Sequence, residues 1–400
     1  VAIPIAYNIR NVIQRPVSTA ATALGIAFVV AILVGALALA AGFQAAVVET
    51  GSPDRAIVLR VGADSEISSG IGVDQANIIR ALPDVATAPD GRPLVSAELL
   101  VLTNLPRLGL NGSSNIPVRG ISREGLAMRS QVHVVDGRLW TPGTDEVIVG
   151  QRIARRFANC KIGDQLRFGL RDFTVVGHFL ADGSAFESEI WGDVTVLGPA
   201  FDREGFQSVT FQVRDPARLR LPAPAAGKRQ PSPLEKELEA DPRLGVQVMS
   251  EREWYSSQSA LLATVIRVAG VFITLIMAAG AIFGAVNTMY AAVSTRTREI
   301  AVLLTLGFTP IAVMLSFMFE SAVIALIGGA LGCLLALPIN GITTSTTNWA
   351  SFSEVAFAIR VTPAAMLVGM IFSLMIGIVG GFFPALAAAR QRLASSLRGA

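Results

Sequence analysis

Few residues in this chain of 400 have the types and spacings that chemistry demands. His133 and His178 stand apart, and neither has a second His, a Cys or a carboxylate at metal-ligand spacing, so both read as ordinary surface or core positions. Cys160 and Cys333 lack metal or redox spacing and fall in different parts of the chain, which excludes a bridge between them. "GIG" at Gly70 to Gly72 lacks the third glycine of a dinucleotide fingerprint, and "GISREG" (Gly120 to Gly125) has one residue too many for a nucleophile elbow. "AAGKR" (Ala225 to Arg229) lacks both the earlier glycine and the following Ser or Thr of a phosphate loop. No enzyme signature survives, and no cofactor or metal is expected on this chain; ATP and its Mg, if they supply the energy, are expected on a partner. What remains is Glu320, an ionisable group inside an apolar run and therefore a functional position by default. A proton relay would need a second acid or His in the helices, and there is none, so the expectation is a polar contact to a neighbouring helix or subunit.

The elements that hold these residues are set by composition. With 52% hydrophobic and only 16% charged residues, and a mean hydropathy of +0.54, the chain is built for lipid. A spanning helix needs about 20 apolar residues to cross about 30 Å of hydrocarbon. Four runs are long enough: Pro16 to Val48 without a charge; a run from near Trp254 that is charge-free from Val268 to Thr295 after a lone Arg267; Ile300 to Ser353, interrupted only by Glu320; and Val361 to Ala389. The first is too long for the core of a signal peptide and is expected to remain as a helix. Basic residues near helix ends stay on the cytoplasmic side. Arg10, Arg15, Arg296, Arg298, Arg390, Arg392 and Arg398 all fall on one side of the four-helix topology, and only Arg360 on the other. Both termini and the loop around Arg296 are therefore expected in the cytoplasm. The pI of about 9.2 follows from this topology, not from affinity for nucleic acid.

The expected fold is an α-helical membrane protein with four transmembrane helices and an α/β extracytoplasmic domain inserted between helices 1 and 2. The boundaries are 1–48 for the cytoplasmic N-terminus and helix 1, 49–258 for the outer domain, 259–294 for helix 2, 295–309 for a cytoplasmic helix, 310–339 for helix 3, 340–362 for a short outer loop and 363–400 for helix 4 with the C-terminus. Within the outer domain, "RAIVLRVGA" and "SVTFQVRD" read as strands and "VDQANIIRALPDV" as a helix stopped at Pro83. "DEVIVGQRIARRF" reads as strand, turn and helix, and "GDQLRFGLRDFTVVGHF" as a hairpin about Gly169. Residues 220–233, rich in Pro, Ala and Gly, read as a flexible insertion ahead of a short charged helix. In helix 3, Gly328 and Gly332 have the small-xxx-small spacing that lets backbones approach. Pro384 reads as a kink or end of helix 4.

"STRTREIAVLLTLGFTP…FMFESAVIALIGGALG" resembles the cytoplasmic loop and third helix of the FtsX/MacB-like, or type VII, family of ABC transporter permeases. "AYNIRNVIQRPVSTAATALGIA" resembles the family's entry into helix 1, "GGFFPALAAARQRLASSLR" its exit from helix 4, and "DGRLWTPGTDEVIVGQRIARRF…IGDQLRFGLRDFTVVGHF" its periplasmic core domain. The resemblance implies mechanotransmission. Two permeases, identical or paralogous, assemble with two cytoplasmic ATPases in the bacterial inner membrane, and helices 1 and 2 carry movement to the outer domains. A hydrophobic, lipid, lipoprotein or peptide substrate is implied, with a periplasmic adaptor or carrier as a further partner and membrane lipid around the helices.

Under this resemblance Thr295 to Gly307 is the ATPase-coupling helix, with Arg296, Arg298 and Glu299 at its start. Ile300, Leu303, Leu304 and Gly307 give an i, i+3, i+4, i+7 face that could fill an ATPase groove. Family members commonly hold a basic residue where Leu303 or Leu304 stands, so docking here would lean on apolar burial. Gly307 is expected to end the helix, and Thr309 with Pro310 to start the next. Two other functions remain open: an FtsX-like regulator of a periplasmic cell-wall hydrolase, against which the large outer domain argues, and a secondary transporter that uses Glu320.

Overall fold

The computed structural model describes residues 16–109, 111–169, 171–222, 229–349 and 351–390. Arg10, Arg15, Arg392, Arg398 and residues 223–228 of the Pro/Ala-rich insertion lie outside the described residues. In chain order the elements are α1 (Pro16–Val48), β1 (Arg55–Arg60), α2 (Val73–Arg80), β2 (Val95–Pro106), β3 (Ser113–Ile121), α3 (Arg123–Ala127), β4 (His133–Gly137), β5 (Glu146–Gly150) and α4 (Gln151–Ala154). They continue with β6 (Gln165–Phe168), β7 (Arg171–Leu180), β8 (Ile190–Asp193), α5 (Val194–Ala200), β9 (Ser208–Gln212), α6 (Pro233–Glu239), β10 (Val246–Ser250), α7 (Glu251–Thr295) and α8 (Thr297–Thr305). The last are α9 (Pro310–Ala336), β11 (Thr343–Asn348), β12 (Ser353–Ala358) and α10 (Pro363–Ala389). Two compact units result. Among the described residues, one is helical and comprises residues 16–42, Thr264–Ile342 and residues 359–390; the other is α/β and falls within Phe43–Ala263 and Thr343–Ala358.

In the helical unit α1, α7, α9 and α10 are, among the described residues, the four helices long and apolar enough to cross a membrane. Their packing depends on glycine. A Cβ on Gly328 would fall 2.7 Å from the Ala23 carbonyl oxygen, and one on Gly332 would fall 2.6 Å from that of Ala27, so α9 meets α1 backbone to backbone. Ile26, Val30, Val34, Ala325 and Ile376 close the core around this contact. Arg267 is exposed on α7. Pro384 neither ends α10 nor marks its last turn, because the helix continues to Ala389 with Pro384 buried inside it.

In the α/β unit ten strands, among the described residues, form one mixed sheet in the order β10-β1-β9-β2-β3-β8-β5-β7-β4, with β6 on β7. The β3–β8 and β5–β7 pairs are parallel; β6 and β7 form the antiparallel hairpin expected from their alternation, with Phe168 opposite Arg171. Apolar cores lie along the sheet: one joins Leu99, Val118, Val149, Phe173 and Leu197, another Val58, Ile79, Phe211, Leu238 and Val248, and a third Ile121, Ile148, Phe179 and Trp191. Ser232 caps α6 through a capping box with Glu235, which explains why the charged helix starts there.

Two expectations change. α7 begins at Glu251, ahead of 259, because Glu251, Trp254 and Tyr255 are buried and its first residues belong to the α/β unit. The segment 340–362 is not a plain loop: β11 and β12 pair antiparallel from Thr343↔Ala358 to Asn348↔Ser353, and this hairpin also belongs to the α/β unit.

Candidate coupling site

The break between α7 and α8 falls at Arg296, whose φ of −112° and ψ of 16° lie outside the α region. Instead of facing solvent, Arg296 is 5% exposed, and its Nη1 lies 3.0 Å from Oε2 of Glu320 on α9, itself 5% exposed. The sequence expectation put Arg296 on a docking surface and Glu320 at a helix–helix contact; in the structure they are partners in one buried ion pair. Removing either member would take a buried counter-charge from the other.

α8 is amphipathic, but its stripe points inward. Ile300 packs with Met289, Val293, Val313, Phe317 and Ala385, and Leu304 joins them at partial burial; Leu303 is also half-buried. The face expected to meet a partner is therefore filled by the chain's own helices. Its outward side carries Arg298 and Glu299, both exposed, with Val302 at 51% and Leu306 at 71% exposure. Spacing of i, i+4 and i+8 puts Arg298, Val302 and Leu306 on one face. Gly307 ends the helix at φ +93°, where its N–H reaches the Leu304 carbonyl (3.2 Å) and the Phe308 N–H reaches that of Leu303 (3.2 Å). This is the paired closure that a left-handed residue after a helix permits. Thr309 then caps α9, its Oγ1 accepting from the Ala312 N–H at 3.3 Å with Pro310 at the first helical position.

In the α/β unit the sheet holds a buried charge network that sequence reasoning missed. Arg119 on β3 contacts Glu66 (2.8 Å), Glu98 (3.0 Å) and Glu189 (2.7 Å). Arg129 contacts Glu98 (2.7 Å) and Glu251 (3.5 Å), and Arg55 contacts Glu251 (2.6 Å). The Tyr255 hydroxyl donates to Glu66 and the Trp191 indole N–H to Glu189. Burial works against charge on Glu98, yet Arg129 and Arg119 outweigh it and hold its carboxyl below the usual glutamate range. Burial likewise works against Arg119, and Glu189 and Glu66 reverse that, raising it well above its ordinary value. A signal was present: Glu98 and Arg119 are charges embedded in apolar strand runs, where only pairing makes them tolerable. The β11–β12 hairpin is clamped in the same unit. Glu354 pairs with Arg107 and with Arg156 (3.1 Å), while Arg152 donates to the Ala356 carbonyl.

The remaining candidates have structural roles. Nε2 of His178 lies 2.8 Å from the Cys160 carbonyl oxygen and Nδ1 3.6 Å from Asp136, across the β4–β7 pair, so His178 does have a carboxylate neighbour. His133 is exposed at the edge strand. Among the described residues no group of three His, Cys, Asp or Glu is placed to hold a metal. Burial, with Asp164 nearby, pushes the Cys160 thiol up to about 12, far from a reactive thiolate. Ser122 of "GISREG" is a helix cap, accepting the Gly125 N–H at 3.2 Å. In "AAGKR", Arg229 pairs with Glu235 and Glu253, and the residues before it lie outside the described ones.

Residues 19–221 match the MacB-like periplasmic core domain, and residues 271–393 match the FtsX-like permease C-terminal region. The macrolide export ATP-binding/permease protein MacB of Bdellovibrio bacteriovorus is 24% identical over 407 residues, covering 94% of this chain and 58% of its own length. MacB of Bordetella avium is 35% identical over 114 residues, 28% of this chain and 16% of that protein. The chain thus spans less than two thirds of these curated relatives. The extracellular domain of the noncanonic ABC-type transporter YknZ from Gram-positive bacteria aligns with 49% of this chain and 100% of its own, at a TM-score of 0.33 and 15% identity. The periplasmic-core match alone takes in more than half of the 400 residues, the permease match follows it in the family's order, and the chain belongs to the MacB/FtsX-like family of ABC transporter permeases.

Proposed function

We propose that this chain is the permease component of a mechanotransmission exporter in a bacterial inner membrane, with both termini and α8 in the cytoplasm and the α/β unit outside. ATP is hydrolysed outside these 400 residues, by an ABC ATPase that docks on α8. Movement of α8 passes into α7 and from there toward the α/β unit, with two permease copies or a pair of paralogues working together. The substrate class is a hydrophobic molecule, lipid, lipoprotein or peptide taken from the membrane or the periplasm, and an outer adaptor or carrier receives it. The export named for the MacB relatives supports the direction of movement.

The observation that carries this reading is α8. Its inner face is built into the helical unit, and its outer face leaves Val302 and Leu306 uncovered beside Arg298 and Glu299. An apolar pair framed by charges is the pattern of a helix seated in a groove on a partner. The docking residues are accordingly Arg298, Glu299, Val302 and Leu306, with Ile300, Leu303 and Leu304 holding the helix in place behind them and Gly307 ending it. Affinity purification from native membranes tests the reading. Recovery of an ABC ATPase with a periplasmic adaptor or carrier supports it; recovery of a cell-wall hydrolase moves the protein to the regulatory alternative, and recovery of no ATPase overturns both.

A further inference from the structure

Arg296 is both the residue at which the α7–α8 helix breaks and the residue whose side chain is driven into the interior. Its N–H still reaches the Val293 carbonyl (3.1 Å) and its carbonyl still accepts from the Ile300 N–H (3.0 Å), so the break is one residue wide. Glu320 stands ten residues into α9, about 15 Å along its axis, on the buried face that also carries Phe317 and Ile324. The pair therefore ties the hinge to the middle of a third helix.

Stability does not explain it. A buried ion pair fixes distance and direction at the cost of desolvating both ions. We infer that the Arg296–Glu320 pair is a strut that fixes the angle between α7 and α8, so that displacement of α8 moves α7 and α9 with it instead of being absorbed at the hinge. Both are positioning residues. The inference builds on the reading of α8 as the coupling helix, but its test does not require an ATPase.

The test uses the full chain in lipid nanodiscs, with Cys160→Ala and Cys333→Ala removing the native thiols. Spin labels are placed at Val302→Cys on α8 and Ile276→Cys on α7, both exposed positions, and the distance distribution between them is read by pulsed electron spin resonance. The parent gives one narrow distance. Glu320→Gln and Arg296→Met broaden it roughly twofold, and the charge swap Arg296→Glu with Glu320→Arg narrows it again. The apolar pair Arg296→Met with Glu320→Met is the decisive variant: it leaves neither charge buried, yet its distribution stays broad. A narrow distribution in the apolar pair, or an unchanged one in Glu320→Gln, overturns the strut. Where a single variant fails to fold, the apolar pair and the swap still decide the question. An ATPase that fails to bind α8 would overturn the coupling reading and leave this result standing.

Discussion

Buried charge is where single residues carry the most consequence in this chain. Arg119 faces three glutamates at 2% side-chain exposure, and Glu98 bridges it to Arg129. Arg119→Met is expected to cost about 3–5 kcal/mol, because it strands carboxylates that cannot reach water; a melting curve of the purified chain measures it. The pH dependence follows from depressed carboxyls, and of these Glu98 and Glu146 are the two that are not fully exposed. Glu98 lies below its ordinary value of 4.5 and Glu146 is held at about 2, the latter chiefly by its hydrogen bond from Arg138. A depressed carboxyl contributes stability that is complete above its unfolded-state pKa and is lost as pH falls through the folded one. Melting temperature should thus be level from neutral pH down to about 5 and fall below about 4.5, and Glu146→Gln should lessen the fall between 4.5 and 2. A fall that begins well above pH 5 would contradict this.

At the scale of elements, α8 separates what periodicity can and cannot tell. The spacing of Ile300, Leu303, Leu304 and Gly307 was legible as one face, since an apolar stripe marks a buried side of a helix. What lies against it was not legible, because the stripe is filled by Val293, Val313 and Ala385 from three other helices, whose packing no local spacing encodes. The α8 cap and the α9 start were readable because Gly307, Thr309 and Pro310 act through their own backbone chemistry. The β11–β12 hairpin was hidden for the opposite reason: "TTSTTN" has no alternation of apolar and polar residues, and its place depends on distant arginines. Ile300→Asp is therefore expected to disrupt folding by putting a charge into the core. Val302→Asp with Leu306→Asp, both on the outer face, should shift stability by no more than about 0.5 kcal/mol each. Gly332→Leu should cost about 1–3 kcal/mol by forcing α9 off α1 at a contact with no room for a side chain, and comparison of its melting temperature in detergent with that of Gly284→Leu, where a Cβ meets nothing within 4 Å, separates lost packing from the substitution itself.

For the molecule as a whole, the number of apolar helices, the inserted α/β segment and the family were legible, because length, apolar composition and local motifs each carry them without tertiary information. The buried network was not: which of the strand charges face each other is decided by the sheet order, which no local pattern encodes. The central claim is that the outer face of α8 receives the ATPase. Its most direct measurement is the amount of ABC ATPase retained when the tagged chain is purified from native membranes, compared between the parent and Val302→Asp with Leu306→Asp at matched melting temperature. The account predicts a loss of about tenfold or more, as expected when apolar anchors at the centre of an interface become charged. Equal retention in the double variant would contradict it.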